Sequence, residues 1–296
     1  MNKVKIITDS CSDLSGELLE KYNIDYCKMA IVEDGAESPA ILTWSREDAH
    51  ALYDKIRAGK RITTTQVPVE EFTTVFTKYL DEGYDVVYIG CSSKQSGSVN
   101  TGALVAKKLS ASYPERKIFC IDSLNASLGI GLLAIEAAKL AMADMGAEEI
   151  NGRICDIRKN VNQFVTVHTL DHLKKAGRVS ATSAFFGNLI GVKPIIISDV
   201  NGVQTPIKKV KGRQTSFKEA VALLRDTMEG GEGQTVYIAH ADCSDEEVAA
   251  LTDLVKAEIP GADICTCIIG PIIGASVGPD AVGVWSLGKP VTHCCE

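Results

Sequence analysis

The first half of the chain alternates short β-branched runs with segments in which apolar residues recur every three or four positions. Apolar runs fall at 4–8, 24–32, 86–90 and 117–121, and helical periodicity falls at 14–22, 45–57, 69–81, 99–110 and 130–145. Strands that alternate with helices indicate a largely parallel sheet covered by helices on both faces. The pattern therefore predicts an α/β fold whose N-terminal domain, residues 1–155, contains a largely parallel sheet flanked by helices.

The second half is less regular and predicts a different sheet. Strand-like runs fall at 164–168, 192–197, 203–210, 236–239 and 264–269, and helices near 170–176, 180–189, 217–228 and 246–258. Asn201-Gly202 separates two of these runs, and such a pair favours a tight β-hairpin. Because a hairpin pairs its strands antiparallel, we expect a C-terminal domain, residues 156–296, with a mixed α/β sheet. The last apolar run, 281–287, could join either sheet.

Composition and charge exclude several classes of protein. The 296 residues suffice for two modest domains, and 45% hydrophobic with 23% charged residues are typical of a globular chain. Lysine and arginine total 31 against 38 acidic residues, so the net charge of −7 argues against nucleic acid as a main partner. No run reaches the roughly 18 apolar residues of a membrane span, and no secretory signal pattern is present. Ten cysteines without such a signal predict reduced thiols in a cytoplasmic protein.

Five loops beside predicted strand ends or helix starts are rich in small hydroxyl residues and glycine. They begin at Thr8, Thr63, Cys91, Asp122 and Gly270. Helix capping explains many of these hydroxyls, but Thr64-Thr65 and Ser96-Gly97 lie in clusters with more hydroxyls than one cap uses. A helix N-terminus with free hydroxyls and amides can bind a carboxylate or a phosphate. Capping and anion binding both remain open on this pattern.

The sequence contains none of the common motifs for nucleotide binding or hydrolysis. It has no phosphate-binding loop ending in Lys-Ser/Thr, no G-x-G-x-x-G after the first strand and no G-x-S-x-G around Ser96. His168, His172 and His240 could serve as bases, but the sequence assigns a partner to none of them. His293-Cys294-Cys295 lacks a second ligand pair at a zinc spacing. We therefore expect no cofactor, no metal site and no assembled catalytic constellation.

A series of short motifs spans nearly the whole chain. The segments are Thr8-Asp9-Ser10 with Ser12-Asp13-Leu14, Thr64-Thr65-Gln66, Ser92 to Gly97, Asp122-Ser123, Leu173 to Ser180, Lys193-Pro194-Ile195, and Gly270 to Gly274 with Gly278-Pro279. In this order they resemble the motifs of the DegV family, whose members include the fatty-acid-binding subunits of bacterial fatty acid kinase. The resemblance implies a two-domain α/β protein that holds one long-chain fatty acid in the cleft between its domains.

The resemblance also implies roles for individual residues. Thr64 and Ser96 take the positions that bind the fatty-acid carboxylate. Ser276 takes that of a histidine found in many kinase-linked members, and its hydroxyl can also donate to the carboxylate. Arg213 takes the position of an arginine that would meet the phosphate once the acid becomes an acyl phosphate. The apolar residues that could line the acyl chain, or equally belong to the ordinary core, are Phe185, Phe186, Leu189, Ile190, Ile272 and Ile273.

The sequence and this resemblance together predict a lipid-binding carrier and not an enzyme by itself. It would bury a long-chain fatty acid and present the carboxylate to a separate fatty acid kinase catalytic subunit for acyl-phosphate formation. The absence of a phosphate loop and of an acidic metal cluster from the sequence fits that division of labour. The alternative is an enzyme that acts on a small phosphorylated or ester substrate with Ser96 as nucleophile. A regulator is a third hypothesis, although the negative net charge argues against contact with DNA.

Overall fold

The protein has an α/β structure with three sheets in the part of the chain that the computed structural model describes, residues 3–180, 191–229 and 233–294. Its strands are β1 (Val4–Asp9), β2 (Asp25–Cys27), β3 (Ala30–Glu33), β4 (Ala36–Pro39), β5 (Ile62–Thr65), β6 (Asp85–Gly90), β7 (Ile118–Asp122), β8 (Val161–Thr166), β9 (Val192–Ser198), β10 (Gln204–Lys211), β11 (Thr235–His240), β12 (Asp263–Ile268) and β13 (Val282–Leu287). Its helices are α1 (Gly16–Lys21), α2 (Arg46–Arg57), α3 (Val69–Asp81), α4 (Ser98–Ser110), α5 (Leu128–Met142), α6 (Ala147–Ile157), α7 (Asp171–Ala176), α8 (Arg213–Thr227), α9 (Asp245–Glu258) and α10 (Pro271–Val277).

Four parallel strands form the first sheet, in the order β2-β1-β6-β7. All six residues of β6 are buried, as expected of a parallel strand covered on both faces. Helix α3 covers the residues that the periodicity predicts, and its Phe72 and Phe76 rings pack against Tyr88 of β6. The largely parallel sheet predicted for the N-terminal half is therefore confirmed.

A small antiparallel sheet, β4-β3-β5, corrects the sequence-based prediction in two places. The apolar run at 24–32 is divided between β2, in the parallel sheet, and β3, in the small sheet. The hydroxyl-rich segment predicted as a loop contains β5, in which Thr64 pairs with Ile31. Threonine is β-branched and favours a strand where a partner strand is present. That partner is distant in sequence, so local periodicity does not reveal it.

Six strands form the second sheet, in the order β10-β9-β8-β13-β11-β12. All neighbouring pairs are antiparallel except β11 and β12, which confirms the predicted mixed sheet. β9 and β10 form the predicted hairpin, in which Gly202 has φ +79° and the Asp199 carboxylate accepts the N–H groups of Asn201 and Val203. β13 lies between β8 and β11, so the last apolar run belongs to this sheet.

Helix α5 lies between the two large sheets and joins their cores. Ten of its 15 residues are buried, and it contacts β1 and β6 as well as β8, β11 and β13. A helix that is apolar on most of its surface is normally buried in this way. One hydrophobic cluster accordingly contains Ile6 and Tyr88 of the first sheet together with Val165 and Trp285 of the second.

The predicted boundary at residue 155 falls inside α6, whose residues Ile150 and Ile154 are buried against the first sheet. The division into residues 1–155 and 156–296 stays a prediction. The helix predicted over 180–189 lies, apart from Ser180, outside the described residues.

Candidate functional site

A cavity lies between the strand ends of the parallel sheet and one face of the mixed sheet. It has about 980 Å³ of empty space, including its open mouth. Its lining comes from the loops after β1 and β6, from β5, from the start of α5, from α10, and from strands β8, β9, β10 and β13. The cavity is thus assembled from segments that are distant in sequence.

Asp9, in the Thr-Asp-Ser motif, holds two of the lining loops together. Its carboxylate accepts the N–H of Cys11 at 2.9 Å, the N–H of Cys91 at 3.1 Å and the hydroxyl of Tyr88 at 2.7 Å. Burial raises the pKa of Asp9, and these hydrogen bonds oppose the rise. Cys11 and Cys91 follow neighbouring parallel strands, whose carboxyl ends are where such sheets bind ligands. Asp9 therefore fixes the positions of the two loops that follow β1 and β6 relative to each other.

Three hydroxyl residues that the sequence analysis selects are brought to the cavity together. Thr64 lies on β5, Ser96 in the loop after β6 and Ser276 on α10, and all three line the cavity and are half-buried. We call this group the polar lip. Its members come from three different elements, so only the tertiary structure brings them together.

The Ser96 hydroxyl belongs to a small hydrogen-bonded group at the start of α4. Ser96 Oγ accepts the N–H of Ser98 at 3.2 Å and lies 2.9 Å from Ser98 Oγ, which in turn accepts the N–H of Val67 at 3.1 Å. The contact between the two hydroxyls uses one of their two hydrogens. When Ser98 donates to Ser96, the Ser96 hydrogen is free to donate to a ligand in the cavity.

Gly97 lies beside this hydroxyl pair, and the Gln66 side chain packs against its Cα. A Cβ at position 97 would lie 2.0 Å from Gln66 Oε1. The Gln66 amide donates to Thr101 Oγ1 at 3.0 Å, which places the side chain across the start of α4. The Thr-Thr-Gln and Ser-Gly motifs therefore form one packed unit.

Helix α10 carries Ser276 and lies in a tightly packed position. Gly270-Pro271 begins it, and proline at the first helical position is compatible with the missing N–H. The Tyr53 hydroxyl donates to the Ile269 carbonyl at 2.8 Å. A Cβ at Gly274 would lie 2.4 Å from the same Tyr53 oxygen, so only glycine allows α10 to approach α2 this closely.

Asp13 connects α10 to the first half of the molecule. The carboxylate is fully buried and accepts the N–H of Gly270 at 2.8 Å and the hydroxyl of Ser127 at 2.5 Å. Burial raises the pKa of Asp13 to about 7, and its two hydrogen bonds oppose that rise. A single titratable group therefore joins the loop after β1, the start of α5 and the start of α10.

Apolar side chains supply most of the remaining surface. Ile272 and Ile273, which the sequence analysis selects, line the cavity beside Val165 and Ile196 of the second sheet. Phe185, Phe186, Leu189 and Ile190 lie outside the described residues.

Sequence reasoning missed a group of polar residues on the second sheet. Gln163 of β8, Gln204 of β10 and Trp285 of β13 all line the cavity and are buried. The available signal is polar residues within strands that are otherwise apolar, such as Val161–Thr166. It shows that a polar side chain is buried, but not that it faces a cavity.

Arg178 and a second groove lie beside the polar lip. Helix α7 ends at Gly177, which is left-handed with φ +68°, and the turn directs Arg178 to donate to the Gln95 carbonyl at 3.1 Å. Thr64, Arg178 and Ser276 line both the cavity and this groove, which has about 1250 Å³ of empty space. The groove also contains Lys60, Arg61, His172 and Lys175, and no acidic residue occurs in its described lining.

Arg213 is not among the residues that line the cavity. Its guanidinium donates to Glu247 at 2.7 Å and to the Asp280 carbonyl at 2.7 Å, and it lies 4.7 Å from the centre of the Phe217 ring. Its Nη1 is buried without a hydrogen-bond partner in the part of the chain described here. The role predicted for Arg213 stays a prediction.

The histidines do not complete a catalytic constellation around Ser96. In the described ranges, the hydrogen bonds of Ser96 Oγ go to Ser98, and none goes to an imidazole. His168 lies 3.0 Å from Lys193 Nζ, and burial, with a smaller contribution from that cation, lowers the pKa of His168. A serine nucleophile needs a base within hydrogen-bonding distance, and no histidine of the described residues takes that place beside Ser96 Oγ.

One cluster has metal-ligand character on the surface. The ligand atoms of His50, Asp54 and Asp242 lie within 4.8 Å of one another, but Arg57 already pairs with Asp242 at 2.6 Å. We assign no metal to it. Within the described ranges, no helix combines the length and apolar character needed to cross a lipid bilayer.

The family is decided by the match over almost the whole chain. Residues 3–289 match the family model described as "Uncharacterised protein, DegV family". The chain belongs to the DegV family. A DegV domain-containing protein of Clostridium perfringens is 31% identical over 288 residues, which cover 97% of this chain and 98% of that protein.

Solved DegV structures share the fold over the full chain. One, from Thermotoga maritima, is described as a DegV lipid binding protein; it is 28% identical, with a TM-score of 0.83, covering 98% of this chain and 100% of its own. A second protein of that organism, described as revealing fatty acid binding function, is 28% identical with a TM-score of 0.82, covering 97% of this chain and 100% of its own. The α/β fold, with one parallel and one mixed sheet, is therefore that of DegV proteins.

Proposed function

We propose that this chain binds one long-chain fatty acid in the cavity, with the carboxylate at the polar lip and the acyl chain against α10 and the second sheet. The observation that carries the proposal is the convergence of Thr64, Ser96 and Ser276 on a cavity with apolar walls. A carboxylate needs hydrogen bonds once it leaves water, and each charge-assisted one contributes about 1.5–3 kcal/mol. Each buried methylene adds about 0.8 kcal/mol. The ligand class is supported by the two Thermotoga maritima relatives.

Lipid analysis of the purified protein tests this proposal. Native mass spectrometry should show a mass increment equal to one fatty acid, which acid extraction and chromatography then identify. Protein that purifies empty and gains no fatty acid after incubation would contradict it.

We further propose that the bound carboxylate is presented to a separate fatty acid kinase catalytic subunit. The groove beside the polar lip supports this step, because Arg61, Lys175 and Arg178 line an approach to the carboxylate and would attract a phosphate donor. Arg213 is the proposed contact of the resulting acyl phosphate, and its buried Nη1 has no hydrogen-bond partner among the described residues. Ser276, a neutral hydroxyl, would donate to the carboxylate without becoming cationic.

Trapping with hydroxylamine tests the kinase step separately from binding. ATP, magnesium and a catalytic subunit should yield acyl hydroxamate only when this chain is also present. Arg213→Met should lower the yield without changing lipid occupancy, whereas Arg153→Met, at an exposed position on α6, should change neither. Full occupancy with no hydroxamate from any catalytic subunit would reject the kinase role and leave binding intact.

A further inference from the structure

A row of hydrogen-bonding side chains crosses four adjacent strands on the face of the second sheet that lines the cavity. Trp285 of β13 is opposite Gln163 of β8, and Ser198 of β9 is opposite Gln204 of β10. We call these four residues the polar row. The neighbouring cavity-lining positions on the same face are apolar, with Val165 opposite Ile196.

The hydrogen bonds along the polar row run in one direction. Trp285 Nε1 can only donate, and it donates to Gln163 Oε1 at 3.2 Å, so the amide nitrogen of Gln163 must be the group that donates to Gln204 Oε1 at 2.6 Å. Gln204 Nε2 then donates to Ser198 Oγ at 3.4 Å, and the Ser198 hydroxyl donates to the Leu124 carbonyl at 2.8 Å.

This arrangement leaves amide donors available to the cavity, beside the second lone pairs of the glutamine oxygens. An amide nitrogen carries two hydrogens. Among the described residues, Gln163 and Gln204 each use one of them. Gln163 is 3% exposed and Gln204 7%, so an alkyl chain that displaced water from these amides would leave their second hydrogens unpaired. An oxygen atom in the chain would accept from them.

We propose, on the basis of the fatty-acid binding proposed above, that the cavity selects fatty acids whose acyl chain carries a hydroxyl or keto oxygen. The carboxylate lies at the polar lip and the chain oxygen lies against Gln163 and Gln204. A site whose buried polar groups are matched by a ligand oxygen discriminates against the analogue that lacks it. A plain acid of the same length fits the same walls but buries the amide hydrogens without a partner.

Competition on the wild-type protein tests the proposal without any substitution. Stearic acid and a series of hydroxystearic acids, with the hydroxyl at successive positions along the chain, compete for a fluorescent fatty acid in the cavity. At least one hydroxyl position should bind about tenfold more tightly than stearic acid. If stearic acid binds as tightly as every hydroxy acid, the polar row does not select oxygen, while fatty-acid binding itself stands. If no acid binds, both proposals fail.

Gln204→Met tests whether the polar row carries the preference. It removes one of the two amides that would donate to the chain oxygen but keeps the hydrogen bond from Trp285 to Gln163. The ratio of hydroxy-acid affinity to stearic-acid affinity should therefore fall severalfold, through weaker binding of the hydroxy acid. Gln95→Met is the matched control, since Gln95 also lines the cavity but its amide donates to the Gly202 carbonyl outside the row. An unchanged preference in Gln204→Met, or an equal loss in Gln95→Met, would overturn the assignment to this row. If Gln204→Met folds poorly, the competition on the wild-type protein still tests whether the cavity selects a chain oxygen.

Discussion

The parallel sheet and the mixed sheet contribute to the cavity in different ways. The parallel sheet contributes through the ends of its strands. Asp9 ends β1, the loop after β1 carries Asp13, and the loop after β6 carries Ser96, which lines the cavity. The mixed sheet contributes through its face, where Val165, Ile196 and three members of the polar row, Gln163, Gln204 and Trp285, line the cavity. Carboxyl ends of neighbouring parallel strands meet at one edge, whereas a sheet face presents every second residue of each strand.

This difference explains why the two regions differ in how readily their functions can be inferred. Loop residues such as Ser96 occur in short polar clusters, which stand out between apolar runs. Face residues such as Gln163 are single positions in a strand, and their meaning depends on which strand lies next to them. The polar residues in the loops are therefore visible in the sequence, and the polar residues on the sheet face are not.

The largest expected effect comes from removing donors at the strand-end side of the cavity. Thr64→Val with Ser96→Ala should lower fatty-acid affinity by about a hundredfold or more, because two charge-assisted hydrogen bonds of about 1.5–3 kcal/mol each are lost. Ser93→Ala, in the same loop but outside the cavity lining, is the control. Isothermal titration calorimetry with one fatty acid measures the affinities of the wild type, the double variant and the control. Retained affinity in the double variant would show that those hydroxyls do not bind the carboxylate.

Asp13 accepts hydrogen bonds from the start of α10 and the start of α5, and a substitution there tests this connection. Its pKa rises from 3.8 to about 7 on folding, so the folded state holds this proton more tightly than the unfolded state between those values. Stability therefore falls as the pH rises from about 4 to about 7, by up to about 4 kcal/mol at about 1.4 kcal/mol per pKa unit.

Asp13→Asn should remove this part of the pH dependence. The amide keeps an acceptor for the Gly270 N–H and a donor for Ser127 Oγ, and it does not ionise. Melting temperatures at pH 5 and pH 8 should differ less in the variant than in the wild type. The same difference in both proteins would show that Asp13 does not titrate in this window.

A smaller effect is expected where α10 packs against α2. Gly274→Ala places a Cβ 2.4 Å from the Tyr53 oxygen, and overpacking of this kind costs about 1–3 kcal/mol. Both the melting temperature and lipid occupancy should fall, since α10 carries Ser276 and two wall residues.

Gly152→Ala, in helix α6, is the matched control for this substitution. Nothing lies within 4 Å of the added Cβ there, so alanine should raise stability by about 0.5–1 kcal/mol. Equal melting-temperature changes in the two variants would show that α10 has room to move.

Much of the fold could be predicted because its elements are encoded locally. Helix α3 and the β9–β10 hairpin each have a periodicity or a turn pair of their own. The small sheet could not, since β5 is a strand only beside β3. The position of β13 between β8 and β11 likewise depends on pairings with strands far away in sequence.

The candidate site likewise contains residues that could be selected from the sequence and residues that could not. The hydroxyls of Thr64, Ser96 and Ser276, and the apolar Ile272 and Ile273, could be selected from motifs, and the structure places all five at one cavity. Their roles toward a carboxylate and an acyl chain stay predictions. The polar row could not be selected, because its directionality follows from a Trp donor on one strand and a Ser hydroxyl on another.

The amino-acid sequence by itself determined the alternation of strands and helices, the family and the polar loops, because each depends on residues close together in the chain. Only the tertiary structure decided that three hydroxyls converge, that Asp13 joins α10 to the first sheet, and that two buried glutamines line the same cavity. These depend on strand order and register, which are set by the packing of the whole molecule around α5.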